Sequence, residues 1–189
     1  GEFKNAFSQL KKKGHLTIKQ QGLEADDLAA WICGKKEEFG IDNIWLISSD
    51  RDWDLLIREG VSRFSTVTRK EITIDNWDDH YDVQPDMYLT MKCLAGDTGD
   101  NIPGIAGIGP KRAVTLINDY GDLYDIYDTC PIDSKYKFIQ SLNENVERLL
   151  LNAELMDLES YSEQALIEAD MNLEDLSSQI IGYLNENRD

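Results

Sequence analysis

The stretch Gly96-Asp97-Thr98-Gly99-Asp100-Asn101-Ile102-Pro103-Gly104-Ile105-Ala106-Gly107-Ile108-Gly109-Pro110-Lys111 holds two chemical devices in one run. Asp97 and Asp100, three residues apart in a glycine-rich turn, present hard oxygen donors to a divalent cation without help from His or Cys. Gly107-Ile108-Gly109-Pro110 brings bare backbone N–H groups within reach of an anion, and the helix that Pro110 opens adds the positive end of its dipole. A metal device beside a phosphate device points to phosphodiester chemistry.

Working back from this stretch, Pro85 opens a helix whose apolar positions Met87, Leu89, Met91 and Leu94 lead to Gly96. Further upstream, Asn43-Ile44-Trp45-Leu46-Ile47-Ser48 is a continuous apolar run of β-favouring residues, which reads as a buried parallel strand and stops in Ser49-Asp50-Arg51-Asp52. Ligands gather at the carboxyl ends of strands in open α/β sheets. A spacing of two in an extended segment would point the Asp50 and Asp52 carboxylates the same way. A calcium loop starting at Asp50 is excluded, because Leu55 and Val61 stand where glycine and glutamate are needed.

Gly22-Leu23-Glu24-Ala25-Asp26-Asp27 leads into an amphipathic helix through about Glu38. Its acidic first turn suits either the helix dipole or a cation. A helix over 2–13 and a short strand at Leu16-Thr17-Ile18-Lys19 precede it. After Asp52, the pattern predicts a short helix from Trp53 to Arg58, an edge hairpin from Val61–Val67 and Glu71–Ile74, and a helix capped by Asp75 running to Tyr81. Arg63, Arg69 and Lys70 read equally as backbone-phosphate contacts or as surface charge protecting an edge strand. Beyond Lys111 the chain is nearly all helix, at 111–120 (stopped by Gly121), 122–128, 134–142, 144–156 and 172–187. Residues 154–175 read as a solvated acidic face, and Tyr124, Tyr127, Leu149, Leu150, Leu151 and Leu155 as core.

At 189 residues and 41% hydrophobic content the chain can bury a real core. The formal charge of −17 opposes a basic nucleic-acid coat, so any contact with DNA must be local. Cys33, Cys93 and Cys130 are odd in number and in no metal-ligand spacing, which supports neither a disulfide framework nor a zinc site and fits a reducing cytoplasm. There is no run of about 18 apolar residues and no signal-peptide pattern at Gly1-Glu2-Phe3-Lys4, so a membrane is not an expected partner.

Glu24, Asp26, Asp27, Asp50, Asp52, Asp97 and Asp100 are all hard oxygen donors, drawn from a helix start, a strand end and a turn. Gathered together they would repel one another unless cations offset them, and magnesium or manganese suits such a set. Two ions about 4 Å apart can activate a water and stabilise a leaving oxygen.

Glu24-Ala25-Asp26-Asp27, the strand ending in Ser49-Asp50-Arg51-Asp52, and the Gly96–Lys111 stretch resemble, in order and spacing, the flap endonuclease and 5′ to 3′ exonuclease family. The likeness is closest to bacteriophage 5′ nucleases and extends to the nuclease domain of bacterial DNA polymerase I. It implies a PIN-like, mostly parallel sheet flanked by helices over residues 1–95, followed over 96–189 by a helical DNA-binding region with a helix-hairpin-helix. It further implies a metal-dependent nuclease of DNA replication or repair, acting on 5′ flaps, branched duplex or free 5′ ends. Asp27, Asp50 and Asp52 would be catalytic, and all seven acids would bind two Mg2+ or Mn2+ ions. Gly107, Ile108, Gly109, Lys111 and Arg112 would hold DNA, with K+ at the hairpin. The family's N-terminal strand with its aspartate and its helical arch match nothing in this chain. The chain is therefore expected to be a fragment or one part of the enzyme, weakly active alone, completed by an N-terminal segment or a complementary chain in the cytoplasm, or in a host's cytoplasm if it comes from a phage. A non-catalytic helix-hairpin-helix DNA-binding module and an acidic protein-interaction domain remain the alternatives.

Overall fold

A computed structural model describes residues 1–188 as an α/β chain, mostly helical, with small sheets. Packing groups it into two units, one of Gly1–Ile44 with the chain from Leu158 onward, the other Trp45–Asp157. This partition by packing differs from a functional partition at residue 95.

In the first unit, α1 (Glu2–Lys12) has acid at its start and Lys11 and Lys12 at its end, the arrangement its dipole favours. Leu16–Lys19 is not a strand. Leu16 and Ile18 instead pack, half-buried, on a core of Trp31, Phe39, Leu166, Leu176 and Ile180. α2 (Ala25–Gly34) ends four residues before the expected Glu38, where the chain breaks into turns. The acidic stretch after 154 contains a helix the sequence reading passed over, Ser162–Glu168, which inserts Leu166 fully into that core. A longer helix, Leu173–Glu186, starts at Asn172, whose side chain accepts the Asp175 amide at 3.0 Å.

β1 (Ile44–Ile47), whose residues from Trp45 open the second unit, β2 (Val61–Phe64) and β3 (Glu71–Ile72) form a three-stranded sheet with β2 in the middle. β2 and β3 form the expected hairpin, antiparallel with Arg63 opposite Ile72. A mostly parallel sheet is not what these strands display. β1 is not buried on both faces either: Leu46 is inside, while Trp45 is 49% and Ile47 60% exposed. Its continuous apolar run had suggested cover on both sides.

Arg51–Leu56 is one 3-10 helix, and a second, Trp77–Asp79, is entered from Asn76 rather than Asp75. The Asn76 side chain accepts the Thr73 amide at 2.8 Å, which closes the turn there. Pro85–Met87 opens α3 (Tyr88–Ala95), which runs into a two-strand ribbon, β4 (Gly96–Asp97) and β5 (Ile102–Pro103). α4 (Pro110–Tyr120), α5 (Leu123–Thr129), α6 (Lys137–Glu144) and α7 (Glu147–Met156) follow. They share one core with α3, built on Leu94, Ile105, Ile108, Leu116, Ile126 and Leu149. Leu149 is fully buried as expected, but Tyr124, Leu151 and Leu155 face out: short helices leave room for one apolar stripe only. No helix among the described residues is long and apolar enough to cross a membrane.

Candidate metal centre and phosphate-binding hairpin

The acidic turn is held by close backbone contact. Gly96 has φ 78°, and a Cβ there would overlap the Gly104 amide, while a Cβ on Gly104 would overlap the Ala95 carbonyl carbon. Both positions therefore need glycine. The Ile105 amide donates to the Leu94 carbonyl at 2.8 Å and closes the ribbon's base. Asn152 of α7 clamps both flanks, its Nδ2 donating to the Cys93 and Pro103 carbonyls at 2.9 Å each. Its Oδ1 is buried without a partner among the described residues.

Inside the turn, one oxygen of Asp97 accepts the amides of Gly99 at 2.9 Å and Asp100 at 3.2 Å. Its other oxygen accepts from the Lys92 ammonium at 2.9 Å, and the same ammonium donates to Asp52. One carboxylate oxygen from each of Asp52, Asp97 and Asp100 lies within 4.8 Å of the others. Lys92 holds Asp97 below the usual carboxylate range. Asp100 is pushed above it by the Asp52 carboxylate alongside. Burial draws the Lys92 ammonium down, but its bonds to Asp52 and Asp97 together outweigh this and raise it. Three carboxylates against one ammonium leave two negative charges unbalanced, and a set of hard oxygen donors fits a divalent cation.

Asp50 stands outside this group of three. It does not continue an extended segment in step with Asp52, because the chain turns at Arg51 and the Asp50 side chain caps the turn, accepting the Asp52 amide at 2.9 Å. Glu24, Asp26 and Asp27 belong to the first unit. Glu24 is the extended residue before α2, and Asp26 and Asp27 fill its first turn. Asp27 is raised by burial, and further by Asp26, against a lowering bond from the Glu24 backbone.

The glycine turn is anchored from below by the buried side chains of Ile105 and Ile108. Gly107 takes φ 81°, and Gly109 caps α4 with Pro110 at its first position. The amide N–H groups of Gly107, Gly109, Lys111 and Arg112 find no acceptor among the described residues. They form an outward cluster of donors at the positive end of a helix. Lys111 is exposed, whereas Arg112 is committed to the turn: it donates to the Gly107 carbonyl at 2.6 Å and lies 4.4 Å from the centre of the Phe138 ring.

Sequence reasoning missed Lys92 and Asn152. The signal for Lys92 is a lone lysine inside Met91-Lys92-Cys93-Leu94, in the helix that delivers the acids. Asn152 leaves no comparable trace. Arg63, read as a surface or phosphate-contacting charge, is buried and bidentate on Asp54, at 2.5 and 3.0 Å.

A family model described as 5′-3′ exonuclease, C-terminal SAM fold, matches residues 83–180. The flap endonuclease of Escherichia phage T5 is 42% identical over 164 residues, 86% of this chain and 56% of that protein. A 5′-3′ exonuclease of Buchnera aphidicola is 32% identical over 155 residues, 79% of this chain and 54% of that one. The bacteriophage T5 flap endonuclease crystallised as a pseudo-enzyme–product complex with DNA and metal ions superposes with a TM-score of 0.85 at 38% identity, covering 95% of this chain and 66% of the other. The chain thus spans about half the length of these curated relatives. From the helices around the glycine turn to the core that carries them, it belongs to the 5′-3′ exonuclease family with the C-terminal SAM fold.

Proposed function

We propose that this chain carries part of the active site and the duplex-holding element of a metal-dependent, structure-specific 5′ nuclease that hydrolyses phosphodiester bonds in 5′ flaps, branched duplex or free 5′ ends of DNA. The observation that supports this best is the convergence of Asp52, Asp97 and Asp100, from two separate turns, on one lysine that balances a third of their charge. Asp52, Asp97 and Asp100 would hold a divalent ion, Mg2+ or Mn2+. Glu24, Asp26, Asp27 and Asp50 are proposed as further ligands for a pair of ions, with Asp27, Asp50 and Asp52 catalytic. When bound, such ions lower the pKa of a water and stabilise the leaving oxygen.

The chain's own residues supply the rest. Lys92 holds the Asp52 and Asp97 carboxylates facing one point and favours the ionised form of Asp97. Asn152 fixes the ends of the turn that bears Asp97 and Asp100. Attack is by water, with no covalent intermediate: Cys93, the thiol next to Lys92, is buried and pushed up to about 12 by burial, in the wrong state to act as nucleophile. The free amides of Gly107 and Gly109, on either side of Ile108, would with Lys111 grip a duplex backbone and exclude no sequence, and K+ could share that turn. Arg112 contributes by bracing it. In this reading residues 1–95 hold catalytic acids of a PIN-like sheet larger than the three strands described, and 96–189 hold DNA.

A second reading, a helix-hairpin-helix module that binds DNA without cutting, draws on the hairpin's donor cluster, which needs none of the acids. One assay separates the two. The chain, alone and supplemented with a polypeptide carrying the rest of the relatives' length, is incubated with a labelled 5′-flap duplex and Mg2+ or Mn2+. Cutting that disappears in Asp52→Asn supports the nuclease. Duplex binding abolished by Gly107→Pro, with no cutting in either mixture, leaves the binding module, and neither result would end both readings.

A further inference from the structure

A second polar site adjoins the Asp50–Asp52 turn, within the same packing unit. It is a cavity of about 230 Å3 between the 3-10 turn and the β2–β3 hairpin. Arg51 and Lys70 line it with the imidazole of His80 and the hydroxyl-bearing residues Ser49, Ser65 and Thr68. Its only carboxylate is Asp54, and that charge is already met. Arg63 holds it with two hydrogen bonds, and the Tyr81 hydroxyl donates to it as well.

The lining is therefore rich in donors and carries a surplus of positive charge. This is unusual in a chain with 36 acidic residues against 19 basic ones, where a cation at random has an acid close by. Neither Arg51 nor Lys70 has a carboxylate partner among the described residues. The loop is also pre-set: Ser65 Oγ accepts the Thr68 amide at 3.2 Å and lies 3.3 Å from Ser49 Oγ. Its shape is held by its own bonds, so a ligand need not order it.

We infer that this cavity is a phosphate-binding subsite, with Arg51 and Lys70 as its charged walls and the hydroxyls of Ser49 and Thr68 as neutral donors. The volume falls below the range of about 300–1,000 Å3 for sites that enclose a drug-sized ligand, and Ile72 is the one aliphatic wall. The site thus suits a single phosphate group, not a whole nucleotide. That group could be the terminal or an internal phosphate of a nucleic acid, or the free ion. Ser49 and Arg51 flank Asp50, so a strand phosphate held here would sit beside the acids, at a point distinct from the Asp52, Asp97 and Asp100 group. The inference needs neither a metal nor cleavage, so it stands or falls apart from the nuclease reading.

The test uses this chain in EDTA, with inorganic phosphate followed by calorimetry and by amide chemical shifts. Saturable shifts at Ser49, Ser65 and Thr68 are expected, weakened about tenfold by Lys70→Ala and again by Arg51→Ala, since each removes a charge-assisted hydrogen bond. Lys70→Arg should retain binding. Both altered side chains are exposed, and an unchanged melting temperature will confirm that the variants fold. A short oligonucleotide with a 5′ phosphate and its 5′-hydroxyl twin then identify the source. A preference for the phosphorylated strand that both variants abolish assigns the terminal group, and equal weakening of both strands assigns an internal phosphate. Binding of inorganic phosphate alone assigns the free ion. Shifts confined to Gly107–Arg112, or reproduced by chloride at the same ionic strength, would overturn the inference.

Discussion

Two cation–carboxylate sites grow from the same 3-10 turn, two residues apart, and they are built on opposite balances. At Asp54, one guanidinium meets one carboxylate through two parallel hydrogen bonds, with Arg63 only 4% exposed and Tyr81 donating to the same acid. At Asp52, one ammonium is shared between Asp52 and Asp97 while Asp100 crowds in without a cation of its own. The first site is closed and complete. The second is open and two charges short, and that deficit distinguishes a place for a ligand from a place that holds the fold.

The widest separation of the two should come from removing each cation. Arg63→Met strands the buried Asp54 carboxylate, and breaking a buried pair in this way costs about 3–5 kcal/mol. A thermal or urea melt should show that loss equally with EDTA and with Mg2+. Lys92→Met should also destabilise the chain in EDTA, by roughly 1–3 kcal/mol for a lost charged hydrogen-bond donor, but millimolar Mg2+ should restore most of it. If Mg2+ rescued Arg63→Met as well, or rescued neither variant, the contrast between a complete and an incomplete site would be wrong.

How much of this was legible beforehand depends on whether the deciding contact is local. The turn at Asp97–Asp100 and the glycines of 107–109 could be read because their chemistry sits in consecutive residues, and Pro110 marks a helix start wherever it occurs. Asp50, Asp52 and Asp54 look alike in sequence. Asp50 is a cap through the nearby Asp52 amide, but only the partners brought in from residues 63, 81, 92 and 97 make Asp52 a candidate ligand and Asp54 half of a buried pair. Lys92 was hidden in an apolar helical run for the same reason. Trp45 and Ile47 misled in the other direction, since a continuous apolar run records what a strand can bury and not what covers it. The short helix at Ser162–Glu168 was lost under its acidic neighbours, although Leu166 alone gives it a core contact.

A smaller effect is expected at Asp100. Asp100→Asn should lower affinity for Mg2+ about tenfold by calorimetry, because one of three converging carboxylates loses its charge. In EDTA the same variant should be no less stable than the parent, since the repulsion from Asp52 is relieved. The sign follows from the raised pKa: the penalty is present once the pH exceeds the folded-state value and is absent below the ordinary carboxylate range. The variant's advantage in melting temperature should therefore be seen at neutral pH and fade on acidification. Asp97 behaves oppositely, because Lys92 lowers its pKa and the stability it contributes is lost only as the pH falls through that depressed value. An Asp100→Asn protein less stable than the parent at neutral pH in EDTA would mean that Asp100 belongs to a balanced site after all.

The smallest change should separate Lys111 from its neighbour. Lys111 is exposed and free to meet a phosphate, so Lys111→Ala should weaken duplex binding uniformly across sequences and reduce the salt dependence by about one contact. Arg112 spends its guanidinium on the Gly107 carbonyl and the Phe138 ring. Arg112→Lys keeps the charge but loses the planar stacking and the fixed fork. It should therefore perturb the amide shifts of Gly107 and Ile108 even without DNA, while Lys111→Ala leaves them in place. Titrations of both variants with one duplex at three salt concentrations, beside their spectra in its absence, would decide the matter. Equal loss of salt slope in both, with unperturbed hairpin shifts, would make Arg112 a phosphate contact like Lys111 and remove its bracing role.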